Sequence, residues 1–229
     1  MTLRVLVVDD QAIARAGLAT MLDAEDDIDV VGQAHDGESA VRAALATEPD
    51  VIVMDIRMPG LDGIGATRRI LAAQACAVVL ITTFDDDQYL FDGIAAGASG
   101  FLLKDSGPDL IGAAVRAAAR GDSLIDPAMT RALIDQSIAP APARRADAVQ
   151  QAALASLSDR ERDVLSAVAR GLSNGEIASE MFLSTATVKS HISSVFAKTG
   201  TKTRVQAVVF AFATGFTDPS TGEPVPPSG

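Results

Sequence analysis

Residues 50–55 read DVIVMD, an unbroken apolar run of four closed by an aspartate. A half-exposed strand alternates apolar and polar residues. A short continuous run rich in β-branched residues fits a strand covered on both faces. The same signature recurs on either side, as LRVLVV (3–8), IDVVGQA (28–34), AVVLIT (77–82) and SGFLLK (99–104). Helical patterns fill the gaps, over 11–23, 37–47, 62–73, 86–96 and 108–120. In the first of them Ile13, Leu18, Met21 and Leu22 stand at near-helical spacing. Five strands alternating with five helices predict an α/β unit, a doubly wound five-stranded parallel sheet with helices on both faces. Ligands of such sheets collect at the carboxyl ends of the strands.

Those ends carry chemistry. Asp9 and Asp10 follow the first strand, Asp55 closes the third, Thr82 the fourth and Lys104 the fifth. Three carboxylates meeting in one cleft repel one another unless a hard cation such as Mg²⁺ or an ammonium group offsets them. Lys104 can supply the ammonium. Such a site suits phosphoryl transfer to a carboxylate. Asp55, alone at its strand end, is the candidate nucleophile, and Asp10 with Asp9 would hold the metal. Each aspartate by itself is equally readable as a helix cap after a strand; the four-strand constellation is not. Gly93, inside the fourth helical pattern, costs roughly 1 kcal/mol against alanine. It reads either as a device that loosens the helix or as a tolerated surface glycine.

The chain changes character after residue 122. Residues 123–155 read as a linker: PAMTRALIDQ predicts one helix, and Pro140 and Pro142 then break helical structure. Residues 156–215 carry helical patterns without a strand signal. Ser158 and Glu161 form a capping box before an apolar stripe of Val164, Leu165 and Val168. Gly171 stops that helix, Asn174 caps a short second one, and Ser184 or Thr185 caps a third with Val188, Ile192, Val195 and Phe196 inward. Short helix, brief turn and longer polar helix make a helix-turn-helix within an all-α four-helix domain, the third helix entering the DNA major groove. Thr185 and Thr187, near free backbone N–H groups, suit phosphates. Lys189, Ser190, Ser193, Ser194 and Lys198 face outward for bases, with Lys202 and Arg204 as backbone clamps. His191 suits either a phosphate contact or a structural role. The last helix, rich in Val and Phe, reads as core or as a dimer face. The proline-rich tail, 216–229, is expected to be disordered.

Composition bounds the alternatives. The 229 residues are 48% hydrophobic and 21% charged, enough for packed cores, with formal net charge −11. The charge is uneven: residues 1–126 hold 9 basic and 21 acidic side chains, residues 151–229 seven of each, and residues 181–217 no acid at all. Nucleic-acid binding is therefore confined to the C-terminal part. There is no Trp and one Tyr, which argues against a base-stacking surface. The lone Cys76 excludes an internal disulfide. With no signal peptide and no apolar run of the ~18 residues a membrane span needs, the expected compartment is the cytoplasm, with no membrane partner.

The segments VLVVDDQ, VIVMDIRMPGLDG, ITTFDDD and AGASGFLLKD resemble the receiver domain of bacterial response regulators, a flavodoxin-like fold, over residues 1–122. LSDRERDVL, GLSNGEIA and LSTATVKSH are similar to LuxR-type DNA-binding domains, and the whole resembles the NarL/FixJ arrangement. The receiver resemblance implies Mg²⁺ held by Asp9, Asp10, Asp55 and the backbone carbonyl of Arg57, and phosphorylation of Asp55 by a histidine kinase. It also implies that Thr82 bonds the phosphoryl group, that Lys104 pairs with it, and that Phe101 changes rotamer. The LuxR-type resemblance implies a homodimer on double-stranded promoter DNA. Two departures stand out: Thr199, Gly200 and Thr201 stand where the family usually has a larger apolar residue, and Ser193 stands where a basic residue is common. The reading is then a phosphorylation-controlled transcriptional regulator, not an enzyme beyond its own phosphorylation and dephosphorylation. A phosphorylation-controlled interaction module without DNA binding, or a small phosphate-ester phosphatase, would use the same pocket.

Overall fold

The computed structural model describes residues 2–83, 87–126, 129 and 148–217. The chain divides into two compact units, Met1–Thr130 and Arg131–Gly229. In the first, elements alternate as β1 (Leu3–Val8), α1 (Ala12–Asp23), β2 (Ile28–Ala34), α2 (Gly37–Thr47), β3 (Val51–Asp55), α3 (Gly63–Ala73), β4 (Ala77–Thr82), α4 (Asp87–Ala96), β5 (Gly100–Leu103), α5 (Pro108–Arg120) and β6 (Leu124–Ile125). The strands form one parallel sheet in the order β2-β1-β3-β4-β5-β6.

The continuous apolar runs are buried on both sides, as their composition demands. Val5, Val7, Val53 and Ile81 pack with Leu22 of α1 and Ile111 and Val115 of α5. The alternate residues Leu6, Ile52, Met54 and Leu80 are fully buried as well, and successive strand residues point to opposite faces. Each such side chain contributes about 1.5–3 kcal/mol by leaving water. That offsets the cost of taking Asp9 and Asp55 out of solvent at the strand ends.

The sheet has six strands rather than the expected five. The added β6 is two residues long, too short to leave a hydrophobic run in sequence. It pairs Leu124 with Gly100 and Ile125 with Phe101. Gly121, at φ 80, turns the chain back after α5, and the Asp126 amide donates to the Phe101 carbonyl at 2.8 Å.

Gly93 is not a surface residue. A Cβ there would lie 2.6 Å from Phe101 Cε1 and 2.7 Å from Leu80 Cδ1, so α4 approaches β5 only because the side chain is absent. The helical pattern in sequence could not show this, because the neighbours come from two strands.

Among the described residues the second unit holds α6 (Ala148–Ala155), α7 (Asp159–Ala169), α8 (Asn174–Glu180), α9 (Thr185–Thr199) and α10 (Arg204–Ala213). The last four are the four helices expected over 156–215. α6 falls in the stretch read as linker, yet its Leu154 is buried with Leu157, Val164, Val168, Ile192 and Phe210 in one core. A single leucine among Ala, Val and Gln gave little periodic signal. The expected helix PAMTRALIDQ lies outside the described residues except for Met129. Of the expected tail, Phe216 packs against the core and Thr217 is 1% exposed; residues 218–229 lie outside the description.

Caps set the helix starts. Ser158 and Glu161 form the capping box of α7, with Glu161 Oε2 accepting from the Ser158 amide at 2.7 Å. Ser173, not Asn174, caps α8 and forms its own box with Glu176. Asn174 is one residue inside, 6% exposed. Ser184 caps α9, accepting from the Thr187 amide at 3.1 Å. The α8–α9 turn runs through Phe182, which is in the left-handed region at φ 55.

Candidate functional site

Parallel strands deliver their carboxyl ends to one edge, and the register aligns them: Asp55 pairs with Ile81, and Thr82 with Leu103. Asp9, Asp10 and Asp55 thereby place one carboxylate oxygen each within 4.8 Å of one another. Asp9 and Asp55 are 4% and 3% exposed, with Asp10 more open at the rim. Lys104 Nζ sits between the two buried acids, 2.8 Å from Asp9 Oδ2 and 2.7 Å from Asp55 Oδ2. The second oxygen of Asp9 accepts from the Gln11 amide at 2.8 Å, and that of Asp55 from the Arg57 amide at 3.3 Å. Arg15, on the first turn of α1, donates to the Asp9 carbonyl at 2.6 Å. The sequence reading missed Arg15; its only signal was a cation one turn into the helix after the acid pair.

Thr82 is 4% exposed, and its hydroxyl donates to the Thr83 carbonyl at 3.0 Å. Phe101 is fully buried against the α4 face opened by Gly93. A cleft of about 400 Å³ beside Asp10 is lined by Ile56, Arg57, Met58, Pro59, Asp62 and Tyr89. The Arg57 guanidinium lies 5.2 Å from the Tyr89 ring centroid, a cation–π contact. Gly63 lets the start of α3 approach the end of β3, since a Cβ there would collide with the Asp55 carbonyl oxygen.

Burial raises the Asp55 carboxyl above the ordinary aspartate range, against the opposing pull of Lys104. Burial also disfavours the charged Lys104, but its bonds to Asp55 and Asp9 win and hold its ammonium form more firmly. Three acids and one lysine leave the pocket net negative. The donor set is oxygen only, which suits a hard cation rather than a thiolate- or imidazole-loving metal. Asp9, Asp10 and Asp55 are the side chains that would hold such a cation.

In the helical unit the exposed side of α9 presents Thr185, Lys189, Ser190 and Ser193, with Thr187 half-buried and its hydroxyl 2.8 Å from that of Ser184. Lys202 is exposed just before α10. Two residues expected at DNA have partners within the unit. Arg204 is 6% exposed and turned inward, donating to Asn174 Oδ1 at 3.2 Å and to the Leu172 carbonyl. It ties α10 to the start of α8 and cannot clamp a phosphate without breaking those bonds. Lys198 reaches back to Glu161 Oε2 at 2.6 Å, and Ser194 donates to Glu161 Oε1 at 2.5 Å. Ser194 is half-buried, whereas Lys198 stays exposed while it reaches Glu161. Glu161 is thus more than a cap: it anchors the third helix to the first. Lys198 and Ser194 hold its carboxyl down to about 2, helped by the Ser158 amide.

A family model for the response regulator receiver domain matches residues 5–116, and one for the luxR family of bacterial regulatory proteins matches residues 155–211. Over 214 residues the chain is 38% identical to the transcriptional regulatory protein YxjL of Bacillus subtilis, covering 93% of this chain and 96% of that protein. The chain belongs to the two-component response regulators with a LuxR-type DNA-binding domain. It is also 36% identical to the DNA-binding transcriptional activator DevR/DosR of Mycobacterium tuberculosis, across 91% of this chain and 93% of that protein. Among solved structures, the response regulator ChrA of a heme-sensing two-component system is 36% identical, covers 92% of this chain and 96% of its own, and superposes with a TM-score of 0.52.

This response regulator is therefore a DNA-binding transcriptional regulator. Its receiver is the flavodoxin-like parallel sheet unit, and its LuxR-type match begins at the last residue of α6. No helix among the described residues is long and apolar enough to cross a membrane. Transcriptional regulators of this kind are generally not enzymes.

Proposed function

We propose that Asp55 accepts a phosphoryl group from a histidine kinase and that the resulting charge controls how the LuxR-type unit engages promoter DNA. The carrying observation is the convergence of Asp9, Asp10, Asp55 and Lys104 from three strand ends, with Thr82 ending the strand between. An Asp55 oxygen attacks the phosphorus of a phosphoimidazole; the P–O bond forms, the P–N bond breaks, and the imidazole departs with its electron pair. Asp9, Asp10, Asp55 and the Arg57 carbonyl would hold Mg²⁺, which neutralises phosphate oxygens. Lys104 exchanges its bond to Asp55 for one to the phosphoryl group, and the Thr82 hydroxyl turns from the Thr83 carbonyl toward it. Phe101, packed against Gly93, changes rotamer in response. Small acyl phosphates would serve as donors at the same carboxylate, and loss of the phosphoryl group to water is the only other chemistry proposed.

On the DNA side, Thr185 and Thr187 serve phosphates, Lys189, Ser190 and Ser193 meet base edges, and Lys202 reaches the backbone. Val209 and Phe212 of α10, half-buried, give a second copy an apolar surface to cover, and the working form is a homodimer on double-stranded DNA in the cytoplasm. The test combines an acyl-phosphate donor with selection of fragments from random DNA. The wild type takes up acid-labile phosphate in a Mg²⁺-dependent manner and then enriches a defined sequence. Asp55→Asn takes up none. Phosphate retained by that variant would refute the assignment.

A further inference from the structure

Ser106, two residues beyond Lys104, sits at a junction. Its hydroxyl accepts from the Leu103 amide at 3.2 Å and donates to Asp126 Oδ2 at 2.7 Å, while its amide donates to the Leu103 carbonyl at 3.0 Å. The single hydroxyl proton is thus committed to the carboxylate. Asp126 is 8% exposed and lies just after β6, where the chain leaves the receiver sheet. Its own amide donates to the Phe101 carbonyl at 2.8 Å, and its carbonyl accepts from the Met129 amide at 2.9 Å. The loop that carries Lys104 is therefore fastened, through one side-chain bond, to the segment that leads out of the unit.

The location gives that bond a task. Lys104 bridges Asp9 and Asp55, and its amide is fixed to the Thr82 carbonyl at 2.8 Å. A phosphoryl group on Asp55 adds roughly −1.5 to −2 of charge and three acceptor oxygens. The ammonium must then find new partners, and the residues that follow it must adjust. The Ser106–Asp126 bond, part-buried at 2.7 Å, can pass such an adjustment on, because breaking it costs the buried Asp126 carboxylate a hydroxyl donor.

We propose that Ser106 and Asp126 are a positioning pair that transmits the state of Asp55 to the chain's exit from the receiver. The proposal rests on Asp55 being the phosphoacceptor. It does not place either residue in the phosphoryl chemistry itself.

The experiment uses the full chain, Mg²⁺, a small acyl phosphate, and a duplex recovered by selection with the wild type. Phosphorylated fraction is read by intact-protein mass spectrometry. DNA affinity is read by fluorescence anisotropy at fixed salt, and the ratio of phosphorylated to unphosphorylated affinity is the coupling. Ser106→Ala is expected to reach the same phosphorylated fraction as the wild type but to lose at least about fivefold of the coupling, within the range typical of linked sites. Ser106→Thr, which keeps a hydroxyl, and Asp126→Asn, which keeps an acceptor, restore it. Asp126→Ala behaves like Ser106→Ala, and the double alanine variant loses no more than either single one. Full coupling in Ser106→Ala, or failure of Ser106→Thr to restore it, overturns the proposal. A wild type that takes up no phosphate on Asp55 overturns the phosphoacceptor reading beneath it, and the two failures are told apart by the mass spectrum.

Discussion

Asp55 and Glu161 are both buried carboxylates bonded to a lysine, one in each unit, and their acidities move in opposite directions. Glu161 is fully served: Lys198, the Ser194 hydroxyl and the Ser158 amide all donate to it. Asp55 shares its one lysine with Asp9 and adds only a long bond from the Arg57 amide. Burial then outweighs its partners. The same ingredients make a finished structural joint in one unit and an under-compensated pocket in the other. A buried charge marks chemistry only where its surroundings leave it incompletely satisfied. Arg204, bonded to Asn174 and the Leu172 carbonyl, falls with Glu161 on the structural side.

The largest expected effect tests the structural half of this contrast. A depressed carboxyl in the fold contributes stability that is complete above its ordinary value near 4.5 and is lost as pH falls toward about 2. Glu161→Gln should lower the melting temperature of the helical unit at neutral pH by roughly 5–10 °C, and flatten its acid dependence. Amide NMR signals of α9 followed through thermal melts at several pH values would show it. Parallel curves for the two proteins would mean that Glu161 is not the anchor.

Asp55 should respond with the opposite sign. A carboxyl whose acidity is weakened by the fold binds its proton more tightly there than in the unfolded chain. Its contribution is therefore favourable at low pH and is lost as pH rises through the aspartate range and beyond. In a chelator at neutral pH, Asp55→Asn should raise the melting temperature of the receiver by about 2–5 °C. Calorimetry giving a lower value would show that Lys104 compensates the acid fully, and the contrast would collapse.

The smallest effect concerns backbone strain rather than charge. Phe182 combines a left-handed φ of 55 with a side chain 96% exposed, so no burial within the unit repays its conformation. Phe182→Gly relieves roughly 1–2 kcal/mol of strain and returns part of it as chain entropy, for a net gain below about 1 kcal/mol. A denaturation midpoint that falls instead would show that the exposed ring is held by contacts worth more than the strain.

Much of the site was legible. Asp9, Asp10, Asp55, Thr82 and Lys104 announced themselves because apolar runs locate strand ends, and parallel strands carry those ends to one edge. Other features hid because their partners are remote. Lys198 and Lys189 look alike on a helical wheel, but only Lys198 has Glu161 within reach, 37 positions away in the chain. Asn174 passes for a cap until Arg204, 30 positions on, is seen bonded to it. Gly93 reads as incidental until Phe101 and Leu80 are packed against it.

Hydrophobic runs, capping boxes and acids at run ends act over a few residues, so the primary structure alone specifies two units, a parallel sheet, a helix-turn-helix and the composition of the acidic pocket. Which cations are free to meet DNA, which acid is left under-compensated, and how the loop after Lys104 is fastened to Asp126 depend on distances between segments far apart in the chain. Packing sets those distances, since a hydrogen bond or an ion pair gains or loses its strength over about an ångström.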